Sequence, residues 1–106
     1  MEKLIDERRP MARLIKSITI ENLWLYILSI LSKRKAHAYA MNKEIKKKFG
    51  WEAGVVTPYI VLYKLEKDGF IKSAKVGRRV VYKITRKGRR ILIDAKKLLR
   101  KISRSL

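Results

Sequence analysis

The residues of this chain best suited to chemistry are a pair of arginines in a glycine turn, Gly77-Arg78-Arg79, and two tyrosines four positions apart, Tyr59 and Tyr63. The chemistry they suit is binding. A guanidinium offers a planar fork of donors that matches a phosphate, and a phenol stacks on a base or sugar, or bonds a phosphate oxygen. Bond-making chemistry has little to work with. The 9 Asp and Glu are scattered among 28 Lys and Arg, with no paired spacing of the acid/base kind. His37 is the single histidine and cannot build a metal site alone, so it reads as a loop residue bonded to backbone. Cysteine is absent, which removes thiolate ligands, disulfides and thiol nucleophiles, and no glycine-rich phosphate loop occurs. No catalytic residue, metal or cofactor is therefore expected.

The formal net charge of +19 exceeds what solubility requires and implies a polyanionic partner. Double-stranded DNA is the first candidate and an anionic membrane surface the second. The longest apolar run, Leu23 to Leu31, is interrupted by Ser29, and falls short of the roughly 18 residues of a spanning helix. Met1 to Pro10 is mostly charged, unlike a signal peptide. The expectation is a cytoplasmic, nucleoid-associated protein with no membrane role. Glutamine is missing while Lys, Arg and Ile abound, a bias shared with proteins from hot environments.

The elements that must position these side chains follow from periodicity. At 106 residues the chain fits one domain. Leu4, Met11, Leu14, Ile15 and Ile18 have helical spacing, interrupted by Pro10, so a helix starts near Pro10 with another turn before it. Thr19 offers an N-cap for a second helix, Ile20 to about Ser32, apolar nearly all round and therefore central. A third helix, about Tyr39 to Phe49, buries Met41, Ile45 and Phe49, turns Lys46, Lys47 and Lys48 to solvent, and stops at Gly50. Thr57-Pro58 then reads as a cap with proline at the first helical position. The helix that follows buries Pro58, Val61, Leu62 and Leu65 and ends at Asp68-Gly69. Phe70 to Val76 and Val80 to Ile84 are β-prone runs around Gly77-Arg78-Arg79, a hairpin with a basic tip. Thr85 caps a last helix, Arg86 to about Ser103, whose apolar seam is too broad to leave in water.

Three helices and then a hairpin is the order of a winged helix-turn-helix, here mainly α with a small β-hairpin and extra N-terminal and C-terminal helices. The expected parts are an extension over 1–18, a winged-helix core over 19–84 and a dimerisation helix over 85–106. Candidate DNA contacts are Thr57, Tyr59, Ile60, Tyr63, Lys64 and Lys67 on the reading helix. On the wing they are Lys75, Arg78, Arg79 and Lys83. A homodimer is expected through Leu14, Ile18, Ile91, Leu92, Ala95, Leu98, Leu99 and Ile102. Trp24 and Trp51 read as core or interface packing. Two other readings stay open: an architectural protein that coats DNA with little sequence preference, and a winged helix that docks on an acidic protein.

From about Leu23 to Leu92 the sequence resembles the PadR-like transcriptional regulators. His37-Ala38-Tyr39 is similar to the family's His-Gly-Tyr, and Thr57, Tyr59, Leu62, Leu65, Glu66, Gly69, Phe70 and Ile71 fall on its reading-helix signature. Gly77-Arg78-Arg79, Tyr82, Thr85, Gly88 and Arg89 match its wing and the entry to its last helix. The departures are Ala38 for Gly, Val56 for Gly, Pro58 for Val and Ile60 for Pro, mainly at the front of the reading helix. The resemblance implies a winged-helix repressor that dimerises through terminal helices. It leaves room for a small-molecule effector, which the residues themselves do not indicate.

Overall fold

The computed structural model describes residues 8–106; Leu4 and the turn expected before Pro10 lie outside them. Helix α1 (Arg9–Ile18) begins with proline in its first turn and buries none of its residues. Thr19 then departs from its expected role. Its hydroxyl donates to the Ile15 carbonyl at 2.6 Å, and its N–H bonds the same oxygen at 3.0 Å. The side chain thus closes α1, and it makes no capping hydrogen bond to the turn that follows. The chain instead makes a short 3₁₀ turn, Ile20–Asn22, before α2 (Leu23–Lys33).

Helix α2 is central as expected, with Leu23, Ile27, Leu28, Ile30 and Leu31 all buried. Around it pack Met41 and Ile45 of α3 (Ala40–Phe49), Leu62 and Leu65 of α4 (Thr57–Lys67), Ile71 and Ile84 of the sheet, and Leu92 of α5 (Arg86–Ser105). The stretch Arg9–Lys33 is long and apolar enough, by length and composition, to cross a bilayer. It is not one continuous rod, however, because it breaks at Thr19, and its second half is the core of the domain.

The hairpin forms as β2 (Ile71–Val76) and β3 (Arg79–Ile84), paired antiparallel with Val76 opposite Arg79. That leaves a two-residue turn, Gly77-Arg78, in which Gly77 has φ +64; among the described residues no non-glycine takes a positive φ. Glycine at the first central position is what a type II′ turn requires. A strand not anticipated, β1 (Ala36–His37), adds to the far side of β3, giving the order β1-β3-β2. Two residues are too few to show a period, which is why pattern alone could not reveal it. At the C-terminus of α4, Gly69 (φ +82) lets the Phe70 N–H return to the Leu65 carbonyl at 2.9 Å, a left-handed stop that only glycine makes cheaply.

The Tyr26 hydroxyl donates to the Ile18 carbonyl and ties the end of α1 to α2. Burial raises the pKa of this phenol above its ordinary value. The unfolded chain then ionises first as pH rises, so the stability this group supplies is complete below about pH 10 and falls as pH climbs through the raised value. Tyr26→Phe is expected to remove that component. Denaturant unfolding at neutral and alkaline pH should show a smaller alkaline loss in the variant than in the wild type.

Candidate nucleic-acid interface

Helix α4 is held at its front by a loop whose anchor is Asn42 of α3. The Asn42 side-chain carbonyl accepts from the Ala53 N–H at 3.0 Å, and its amide donates to the Gly54 carbonyl. Sequence reasoning missed this residue, since its only signal is one polar side chain at the edge of a helix. Thr57 does not cap α4. Val56 occupies the N-cap position in helical geometry (φ −87, ψ −38), and no side chain bonds the exposed N–H groups. A capping side chain needs an extended residue before the helix, and here the chain enters already coiled. Thr57 is the half-buried first residue of the helix, with Pro58 buried behind it.

With Pro58, Leu62 and Leu65 turned to the core, helical spacing puts Ile60, Tyr63 and Lys67 on the crest. Tyr63 is 68% exposed and Ile60 48%, so Ile60 is not covered by α1. Tyr59 leans toward the wing and lines a crevice with Tyr39 and Arg79. Lys64 leans the other way, beside Glu21 and Trp24 at the mouth of a cavity of about 430 Å³. Glu66 is occupied at the sheet, accepting from the Ser73 N–H and hydroxyl at 3.1 and 2.6 Å. Burial, then the Glu66 carboxylate and the Tyr59 phenol, raises the pKa of Tyr82, which stays a neutral phenol beneath the helix.

The wing lysines divide by strand parity. Ile71 and Ile84 face the core, so alternation places Ser73, Lys75, Val80 and Tyr82 on the α4 side and Lys72, Val81 and Lys83 on the outer side. Lys75 therefore stands on the α4 side of the sheet, and Arg78 is in the turn at its end. Lys83 faces away with Lys35 and Lys72. Arg79 is the first residue of β3 rather than part of the tip, and His37 bonds the Val80 carbonyl at 3.1 Å.

The terminal seam also divides. Leu92, expected at a subunit interface, is 4% exposed and belongs to the domain's own core. Ile91 is half-buried against it. Leu14, Ile18, Leu98, Leu99 and Ile102 remain 42–57% exposed. Ile18, Ala95, Leu98 and Leu99 meet Trp24, Leu25 and Tyr26 around a cavity of about 310 Å³. Trp51 packs edge-on to Tyr26 at 4.9 Å, a core role.

A reading helix over a three-stranded sheet, with a basic two-residue wing tip beside it, defines a winged helix-turn-helix protein. The chain belongs to the PadR-like family of transcriptional regulators, whose family model matches residues 27–94. Comparison with curated protein sequences returned no significant match. Among solved structures it is similar to a Thermoplasma acidophilum protein at 31% identity, covering 89% of this chain and 94% of that one, with a TM-score of 0.67. It is similar to a PadR family transcription regulator from Clostridium difficile R20291 at 25% identity, over 78% and 92% of the two chains, with a TM-score of 0.73. Bacillus subtilis PadR, solved in complex with operator DNA, matches at 28% identity and a TM-score of 0.61, over 72% of this chain and 47% of that one.

Proposed function

We propose that the protein binds double-stranded DNA as a homodimer and represses transcription by occupying a promoter. The observation that carries the reading is the grouping of Tyr59, Ile60, Tyr63 and Lys67 on one exposed helix face, with Lys75 on the same side of the neighbouring sheet, Arg78 at its turn, and the Glu66 carboxylate spent on Ser73. Such a face leaves cations and aromatic edges for a polyanion. The similarity to a PadR solved with its operator supports the same reading. The dimer is supported by the exposed Leu14, Ile18, Leu98, Leu99 and Ile102, since apolar groups gathered on two terminal helices gain by mutual burial.

Selection of bound sites from random duplexes, followed by comparison with bulk DNA, tests the function. A sequence reader should prefer its selected site by about 10³-fold or more. One observation favours a second reading, that of an architectural DNA-coating protein: the crest of α4 has no Arg, Asn or Gln, the side chains that read guanine and adenine by paired hydrogen bonds. A flat affinity profile would replace the regulator with that reading. Arg78→Ala is expected to lower the slope of log affinity against log salt by about one unit, measured by titration at several salt concentrations. An unchanged slope would remove Arg78 from the phosphate contacts.

A further inference from the structure

We propose that the crevice between the wing and the front of α4 is a binding site for a backbone phosphodiester, in which Tyr39 is the positioning residue for Arg79. The proposal rests on the DNA-binding reading above and adds residues which that reading does not use. The crevice holds about 200 Å³ and is lined by His37, Ala38, Tyr39, Tyr59, Arg79 and Val80, with no carboxylate among them.

Its parts come from separate elements. Tyr39 precedes α3, His37 ends β1, Arg79 begins β3 and Tyr59 is in the first turn of α4. The Arg79 guanidinium donates from Nη1 to the Tyr39 hydroxyl oxygen at 2.8 Å and lies 5.6 Å from the centre of the same ring. On the ring's other contact, the His37 imidazole stacks nearly parallel, 8° from coplanar with centroids 5.4 Å apart. The imidazole is in turn fixed to the sheet through the Val80 carbonyl at 3.1 Å. An arginine beside the turn of a hairpin would otherwise sample many rotamers, and each contact with DNA would cost that freedom. Here the fork is set before any partner arrives.

The hydrogen-bond inventory then decides what the crevice accepts. Arg79 spends one N–H on Tyr39 and keeps its others, and it has no acceptor. The Tyr39 oxygen accepts from a cation, so its own O–H is left to donate and is polarised to do so. Tyr59 adds a second phenol to the lining. A site that offers donors and positive charge without a carboxylate suits an anion with several acceptor oxygens, and its place beside the reading helix makes that anion a phosphodiester of the bound duplex. Tyr39 is 62% exposed, so core packing does not account for an aromatic ring there.

The test measures affinity for a short mixed-sequence duplex over a range of salt, using the full-length wild type, Tyr39→Ala, Tyr39→Phe, Arg79→Ala and the Tyr39→Ala/Arg79→Ala double variant. Arg79→Ala is expected to weaken binding by roughly tenfold and to lower the salt slope by about one. Tyr39→Ala should weaken binding several-fold, yet weaken the Arg79→Ala protein no further than about twofold, because it acts through the arginine. Tyr39→Phe keeps the stacked ring, and with it the fold, and should recover part of the loss. Losses that simply add in the double variant, or wild-type affinity in both tyrosine variants, would overturn the proposal while leaving DNA binding intact. A wild type that shows no salt-dependent binding would overturn both.

Discussion

Gly88→Ala is expected to destabilise the protein by about 3 kcal/mol, a fall in melting temperature of roughly 12–24 °C for a domain of this size. Gly88 lies in the first turn of α5, where an ordinary helical glycine would gain up to about 1 kcal/mol from alanine. The contact reverses that sign. A Cβ built on Gly88 would sit 2.1 Å from the Phe70 carbonyl oxygen and 2.7 Å from Cγ1 of Ile84. The isoleucine side chain can shift, but the carbonyl cannot swing aside cheaply, since it accepts the Thr85 N–H at 3.1 Å. Thr85 is itself fixed on both sides: its hydroxyl donates to the Gly69 carbonyl at 2.7 Å and accepts the Gly88 N–H at 3.1 Å. The helix must therefore lift from the sheet, and Lys87, which donates to the Asp68 carbonyl at 2.6 Å, would be pulled off the end of α4. Thermal unfolding followed by circular dichroism reads the outcome. A melting temperature equal to or above that of the wild type would show that α5 does not press on the sheet here.

Leu98→Lys is expected to convert the proposed dimer to a monomer at micromolar concentration and to weaken DNA binding by roughly 10²- to 10⁴-fold. Leu98 is 57% exposed and lies beyond Leu92, the last residue of α5 buried in its own domain. Because the side chain only borders the open cavity with Trp24 and Tyr26, the substitution should leave the monomer folded. Lysine is a sharper probe than glutamate because α5 already carries Lys97, Lys101 and Arg104. An added acid could find a cation on the symmetry mate, whereas an added cation meets only its like across a two-fold axis. The affinity loss follows from linkage: two reading helices joined in one dimer engage adjacent half-sites together, and a monomer forfeits the effective concentration of the second. Sedimentation velocity gives the mass and the salt titration the affinity. A dimer that survives this charge would place the subunit contact elsewhere.

Much of the fold was legible because its signals are local. The Leu62/Leu65 seam, the Gly69 stop, the Gly77 turn and the change of period after Phe70 each concern residues within a few positions of one another, and the five helices and two hairpin strands appear where expected to within a few residues. Thr19 and Thr57 show the limit of such signals. A threonine before a helix can cap the next helix, close the previous one or do neither, and the choice depends on backbone angles that its identity does not fix. At Thr19 the hydroxyl turned back to Ile15. At Thr57 the preceding Val56 was already helical. The face that Lys83 takes was legible too, since it alternates with the neighbouring Ile84.

What the sequence determined alone was the charge, the absence of cysteine, the order of the helices and the two hairpin strands, and the family signature. These depend on composition or on short-range periodicity. The tertiary structure decided which apolar residues of one continuous seam are used internally, keeping Leu92 in the core and leaving Leu98, Leu99 and Ile102 outside. It also brought Tyr39 to Arg79 across forty positions of chain, and set β1 against β3. Helical spacing places side chains on a face but cannot say how far along that face the neighbouring element extends. Packing in three dimensions settles that extent.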